Sequence, residues 1–423
     1  MKCVVKRVVK RVVQGVLLAL LARPVSAAVP DAAAGVVPDV AVGVAPTTAP
    51  AATSKPVGVG TPKPGATKPG ATEPRATEPS ASPPRAPSPW PELAALLPGV
   101  LLHGSGTWLQ GRQQTSERLL TLEGVGLLGT FASGFVLFQT GAARNLVGPT
   151  ALVAVAGVST FGLSFLANLY ATWAPREGFG EPRRSLSLLE SALGYTYVYD
   201  PQFAFRHFLT TRLDARVDAW HLSLGTAHAP EQDNQRYELG AGFRLWDATG
   251  DIESTWRAGS RRDGSYLEPR VGFSEHRYDG SGFLTRVLEL ELEGRVDVQR
   301  LLPDVRGAFF QLGAGVAEQW FVFDLPQVAA SDTSSLLLAH AGFGMYLGQR
   351  SGGPGGELEL YYDHRHDGFA GGLRARGLGS GVPGHFGLRS QYALTPRWGV
   401  RAEVQTGSAW VVNLAATLRV GQR

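Results

Sequence analysis

Between Leu288 and Val298 the chain alternates without a break. Leu288, Leu290, Leu292, Gly294, Val296 and Val298 interleave with Glu289, Glu291, Glu293, Arg295 and Asp297. Successive side chains of a strand point to opposite faces, so this run has one apolar face and one charged face. Wound as a helix, at about 100° per residue, the same apolar groups would scatter around the axis. The run therefore reads as a strand. A row of charges cannot face a packed core without partners. The charged face must look at water or at an opposing set of charges. The apolar face needs a cover of its own, either a second sheet or lipid.

The same two-residue period recurs from residue 185 onward. Leu189, Ser191, Leu193, Tyr195, Tyr197 and Tyr199 alternate with Glu190, Ala192, Gly194, Thr196 and Val198. Arg212, Asp214, Arg216 and Asp218 alternate with Leu213, Ala215 and Val217. Tyr237 to Leu245 and Ile252 to Ala258 behave alike, the latter carrying Trp256. Further strands are predicted near 266–275, 283–298, 307–323, 335–348, 356–363, 384–394, 397–407 and 409–421. About twelve strands, at about 20 residues per strand and turn, is the spacing of membrane barrels. A soluble sandwich with paired apolar faces also satisfies the alternation.

Two features favour lipid as the cover. Tyr195, Tyr199, Trp220, Trp246, Trp256, Trp320, Trp398 and Trp410 gather toward strand ends, where an interfacial girdle would lie. Tyr392–Val404, YALTPRWGVRAEV, contains a tight Pro turn between two strands. On that pattern the region 185–423 resembles the bacterial outer-membrane β-barrel class, in which such turns join strands on the periplasmic side. The resemblance implies an outer-membrane location, with the N-terminal tail and the C-terminus periplasmic.

The region ahead of the strands has three parts. Residues 1–27 read as a secretory signal: a basic start (Lys2, Lys6, Arg7, Lys10, Arg11), an apolar run from Val12 to Ala22, and the small-x-small site Val25-Ser26-Ala27. The apolar run is short for a bilayer span, though an uncleaved anchor remains an alternative. Residues 28–90 form a disordered Ala/Pro-rich linker. From Thr61 it repeats TPKPG, ATKPG, ATEPR, ATEPS, ASPPR, with no side chains that could build a core. Fully extended, it would reach on the order of 190 Å. Lys55, Lys63 and Lys68 could touch peptidoglycan or another envelope protein, and a plain spacer is the simpler reading. Residues 91–176 read as a helical hairpin. Leu119–Phe138 and Val147–Trp173 are each long enough to cross a bilayer, and small residues at Ala151, Ala154 and Gly157 suit close packing on the first helix.

The fold class expected is therefore mainly β: a ~12-stranded antiparallel transmembrane β-barrel preceded by an α-helical hairpin and a Pro-rich tether. Charge placement excludes one class of function. The formal net charge is +4, yet residues 1–90 hold all 6 Lys with 5 Arg against 4 acids, leaving 29 Arg against 32 acids in the remainder. The basic balance belongs to the leader and tail, and gives no case for nucleic-acid binding. Cys3 is the only cysteine, so no disulfide framework or Cys-based metal site is available.

Two sets of residues are candidates for function. Arg212, Asp214, Arg216, Asp218, Glu289, Glu291, Glu293, Arg295 and Asp297 would face a lumen, either as a neutralising network or as an ion path. Asp363, His364, His366 and Asp367 could bind a metal or ligand. The second set is also the seat of the enzymatic alternative, an outer-membrane enzyme acting on lipid or glycan. Outer-membrane phospholipases carry His-x-Ser near a strand end, followed by Asn-Gly. Here the matching positions are His364, Arg365 and His366, then Asp367-Gly368, so the nucleophilic Ser is missing and no catalytic set is assembled. His103 and His340 are isolated in sequence and receive no role. The reading is thus a narrow channel or an envelope structural or assembly component, with outer-membrane lipid as partner and no cofactor.

Overall fold

The computed structural model describes residues 89–141, 144–182, 187–200, 206–231, 234–247, 263–278, 282–325, 328–348, 355–364, 384–407 and 409–422. The alternating runs form one antiparallel sheet closed on itself. Its strands are β1 (Ser187–Tyr199), β2 (His207–Val217), β3 (Trp220–His228), β4 (Gln235–Phe243), β5 (Trp246–Asp247), β6 (Tyr266–Tyr278), β7 (Phe283–Asp297), β8 (Ala308–Leu325), β9 (Val328–Gly348), β10 (Gly355–Asp363), β11 (His385–Ala393), β12 (Trp398–Thr406) and β13 (Trp410–Gln422). Both β4 and the two-residue β5 pair with β6, so β5 merely continues β4 and the barrel has 12 staves. Sequential neighbours pair all the way round, and β1 pairs with both β2 and β13, which removes every sheet edge.

The faces sort as the alternation requires. Leu193, Leu224, Leu239, Leu290, Leu292, Leu312, Val316, Leu360, Leu388 and Leu414 are all exposed on the outer wall. Glu293, Gln311, His340, Glu359 and Arg419 are buried inside it. A soluble sandwich would pair its apolar faces, so this arrangement overturns that alternative. Exposed aromatic residues flank the apolar belt at both ends: Trp220 and Trp398 at the end carrying the barrel's two termini (the proximal end), Tyr199 and Trp410 at the other (the distal end).

Glycines on the inner wall make room for its large side chains. A Cβ on Gly342 would collide with the Glu359 carboxylate, and one on Gly387 with the Tyr361 ring. This close approach is why the inner positions read as either charge or glycine along the sequence.

Ahead of the barrel lie α1 (Trp90–Leu96), α2 (Ser105–Leu109), α3 (Gln113–Gln139) and α4 (Arg144–Trp173), with the four-residue α5 (Val298–Leu301) following β7. Helices α3 and α4 form the expected hairpin. They meet where they lack side chains: a Cβ on Gly157 would stand 2.6 Å from the Thr130 backbone nitrogen, and one on Gly126 2.6 Å from that of Phe161. The hairpin's foot is fixed to the proximal end of the barrel. Leu119, Leu163, Ala167, Tyr170 and Ala171 share a core with Val298, Leu302 and Val305, and with Phe310 and Phe343 on the outer wall. Polar bonds pin the same joint. The Arg112 guanidinium donates to the carbonyls of Ala171 (2.6 Å) and Asp304 (2.5 Å), and the Tyr170 hydroxyl donates to the Arg306 carbonyl (2.8 Å). Farther along, Leu128, Phe131, Phe135, Phe138 and Val158 remain exposed.

One expected strand falls outside the described residues, and one observed strand is missing from the sequence reading. The predicted run Ile252 to Ala258 lies outside the described residues. Conversely, β3 completes the twelve, although its inner positions His221, Ser223, Gly225 and Ala227 carry no alternating charge that would mark it.

Candidate functional site

Among the described residues, two polar chambers of the barrel interior bear on function. The proximal one, about 240 Å³, is bordered by Glu181, Glu190, Asp214, Arg216, Arg244, Arg295 and Glu357 among others. The distal one, about 440 Å³, is bordered by Glu238, Glu289, Glu291, Asp363, His385 and Glu403 among others. Six side chains border both: Arg212, Arg270, Glu293, Gln311, Arg389 and Arg401. They form the waist of the lumen, and they come from β2, β6, β7, β8, β11 and β12, that is, from around the whole wall.

Each waist arginine is held by a carboxylate. Arg212 pairs with Asp214 at 2.8 Å, and Asp214 also meets His221 at 3.3 Å. Arg270 joins Glu268 at 2.6 Å and also bonds Glu293. Glu293 in turn accepts from the Tyr266 hydroxyl and, at 3.0 Å, from the Gln311 amide. Arg389 pairs with Glu359 at 2.8 Å and lies over the Tyr361 ring. Arg401 stands 3.5 Å from Glu403, which accepts from the Tyr361 hydroxyl at 2.6 Å. Beyond the waist, Arg295 reaches across from β7 to Glu357 on β10 at 2.7 Å, and Gln391 bonds Glu190 across two strands. Buried charges survive only with such partners, so the network is what lets a strand wall carry this many ionised groups.

The distal end of the lumen is different. Val198, Phe208, Ala227 and Val411 pack together on one side of the inner wall, and Val287, Ala317 and Leu338 on the other. The polar space narrows toward apolar walls there.

The predicted lumen residues fall into two groups. Arg212, Asp214, Arg216, Glu289, Glu291, Glu293 and Arg295 border the chambers. Asp218 and Asp297 do not. Asp218 sits in the β2–β3 turn, exposed, with φ of 54°. Asp297 is buried at the proximal rim, where its carboxylate caps α5 by accepting from the Gln299 backbone nitrogen at 2.9 Å. Asp218 lies just past the end of β2 and Asp297 is the last residue of β7, so in both places the backbone is already turning away from the lumen.

Of the second predicted set, Asp363 borders the distal chamber and stands 3.5 Å from His340. His364 lies past the end of β10 and bonds the Tyr362 hydroxyl at 2.7 Å. His366 and Asp367 lie outside the described residues. Among the described residues no cluster of three or more His, Cys, Asp or Glu side chains is arranged to hold a metal ion.

Residues that sequence reasoning passed over supply much of the site. His340 is buried in the wall, 3.3 Å from Glu359. Arg270, Arg389, Arg401, Glu357, Glu359 and Glu403 all face the chambers. Their signal was present, since GELELYY in β10 alternates as clearly as β7 does.

No protein-family model matches the chain, and no curated protein matches its sequence. Solved structures similar to it include the Acinetobacter baumannii outer membrane protein Omp33, at 12% identity over 55% of this chain and 98% of that one, with a TM-score of 0.28. The KdgM porin is similar at 12% identity over 54% and 98% of the respective chains, TM-score 0.31. The translocator domain of the autotransporter NalP from Neisseria meningitidis is similar at 12% identity over 66% and 99%, TM-score 0.33. At these identities and scores the likeness adds no argument to the geometry above.

Proposed function

We propose that the protein is a bacterial outer-membrane barrel whose lumen forms a narrow polar channel. The observation that carries this reading is the sorting of the wall. An exposed apolar belt with aromatic residues at both ends surrounds a charge-lined interior, and a lipid-embedded barrel demands that order. A closed sheet also satisfies all ladder hydrogen bonds, which a bilayer core requires of any spanning structure. Two chambers sharing one waist form a polar route rather than a solid plug.

On this reading residues 1–27 direct export and are removed. Residues 28–90 then become a periplasmic tether, with Lys55, Lys63 and Lys68 available to peptidoglycan or another envelope protein. On the same reading the proximal end, where the barrel's first strand begins and its last strand ends, is the periplasmic one.

The test is single-channel recording of the full chain refolded into a planar bilayer. Discrete unit conductances are expected, small because the waist is crowded with paired side chains. A correctly folded barrel that never conducts would leave the envelope structural or assembly role.

A further inference from the structure

We infer that the waist is a selectivity ring for small anions, which deepens the channel reading above and rests on it. What an ion meets first is the more exposed member of each pair. In the Arg389–Glu359 pair the arginine side chain is 30% exposed and the glutamate 1%. In Arg270–Glu268 the values are 31% and 0%. In Arg212–Asp214 they are 40% and 20%, and in Arg401–Glu403 25% and 15%. In all four waist pairs the arginine side chain is the more exposed member and the carboxylate the more buried one. The fifth charged member, Glu293, is buried and already accepts from Arg270, Tyr266 and Gln311.

Pairing makes the ring close to neutral in sum, yet an ion passing through meets the near charge first. Coulomb energy falls with distance, so the more exposed guanidinium outweighs its more buried partner. Guanidiniums suit carboxylate, phosphate and halide ions because they offer several N–H donors in a plane. Rings of arginine are a known physical basis of anion preference in pores.

A second observation points the same way. Arg216 borders the proximal chamber next to the waist and, among the described residues, has no hydrogen bond or ion pair, unlike the other arginines that border the chambers. It adds a positive charge with no directly bonded carboxylate on the proximal side. The distal chamber opposes this, since Glu238, Glu289 and Glu291 border it. That chamber is the wider one, about 440 Å³ against about 240 Å³, so water and counter-ions screen its charges more than those of the waist.

The experiment is the reversal potential of the full chain in a planar bilayer under a KCl gradient. Chloride is expected to permeate at least about three-fold better than potassium. Arg216→Gln should reduce that ratio by roughly half, because it removes a charge that no carboxylate bonds directly. Combining Arg212→Gln with Arg401→Gln should bring the ratio near unity. These two positions are chosen because Asp214 keeps His221, and Glu403 keeps Tyr361 and Gln405, so the wall retains partners for its acids. Heat-modifiable gel migration would verify that each variant is folded. Conductance with potassium preferred, or a chloride preference unmoved in both folded variants, would overturn this inference and leave the channel intact. A folded barrel without conductance would overturn the channel reading and this inference together.

Discussion

At the scale of single residues, His103 is the clearest case of chemistry that only the fold assembles. It is fully buried, with rings of Phe161 and Phe165 beside it at 4.5 Å and 5.7 Å. Its backbone nitrogen donates to Glu123 at 2.7 Å, and its Nδ1 lies 2.6 Å from the Ser164 hydroxyl. Ser164 gives its own proton to the Phe161 carbonyl, so Nδ1 carries the hydrogen and Nε2 is left bare, without a partner. A second proton would sit on Nε2 in a dry, aromatic pocket. Burial accordingly lowers the His103 pKa below 6.5, more than the Glu123 carboxylate raises it. The unfolded chain then takes up a proton that the folded one refuses as pH falls below about 6.5, and stability of the hairpin's foot is lost in that direction. Limited proteolysis between α2 and α3 should therefore quicken from about pH 7.5 to about pH 5.5. His103→Gln should flatten that dependence. None of this was legible in the sequence, because Glu123 and Ser164 are 20 and 61 residues away. His340 escaped for the same reason: Glu359 lies on the next strand, and only register brings the two together.

At the scale of elements, periodicity located most strands and failed where the lumen side is uncharged. The β2–β3 hairpin turns on Asp218 and Ala219 alone, and β3 presents Ser, Gly and Ala inward where other strands present charge. With no charged stripe and no long loop before it, the strand merged into its neighbours. The helical hairpin was easier, because two long apolar runs separated by a short polar loop allow few alternatives. Its packing also yields a sharp contrast among glycines of one helix pair. A side chain on Gly157 would press on Thr130 and Gly126, whereas Gly124 and Gly162 have nothing within 4 Å. Gly157→Leu should cost about 1–3 kcal/mol in unfolding of the hairpin, as overpacking of a tight contact does. Gly124→Leu should be nearly silent. Protease resistance of α3 and α4 in detergent, compared between the two variants, reads the difference, and equal effects would mean the helices do not meet at Gly157.

At the scale of the whole molecule, closure is the property the sequence could not display. The seam joins β1 to β13, whose paired residues Leu189 and Val420 stand at opposite ends of the barrel sequence. What the sequence did supply was the sorting of faces, and from that the choice between lipid and a second sheet follows. The waist needed closure as well, since Arg212, Arg389 and Arg401 come together only when twelve registers are set against one another. The central claim is therefore that Leu288, Leu290 and Leu292 look at lipid while Glu289, Glu291 and Glu293 look into a water-filled lumen. Single cysteines placed in turn at these six positions, in a chain with Cys3→Ser, test it directly. In reconstituted vesicles the odd positions should react with a small water-soluble thiol reagent, and the even positions should be protected from it but labelled by a lipid-phase maleimide. Uniform reactivity along the run, or the opposite alternation, would contradict the account.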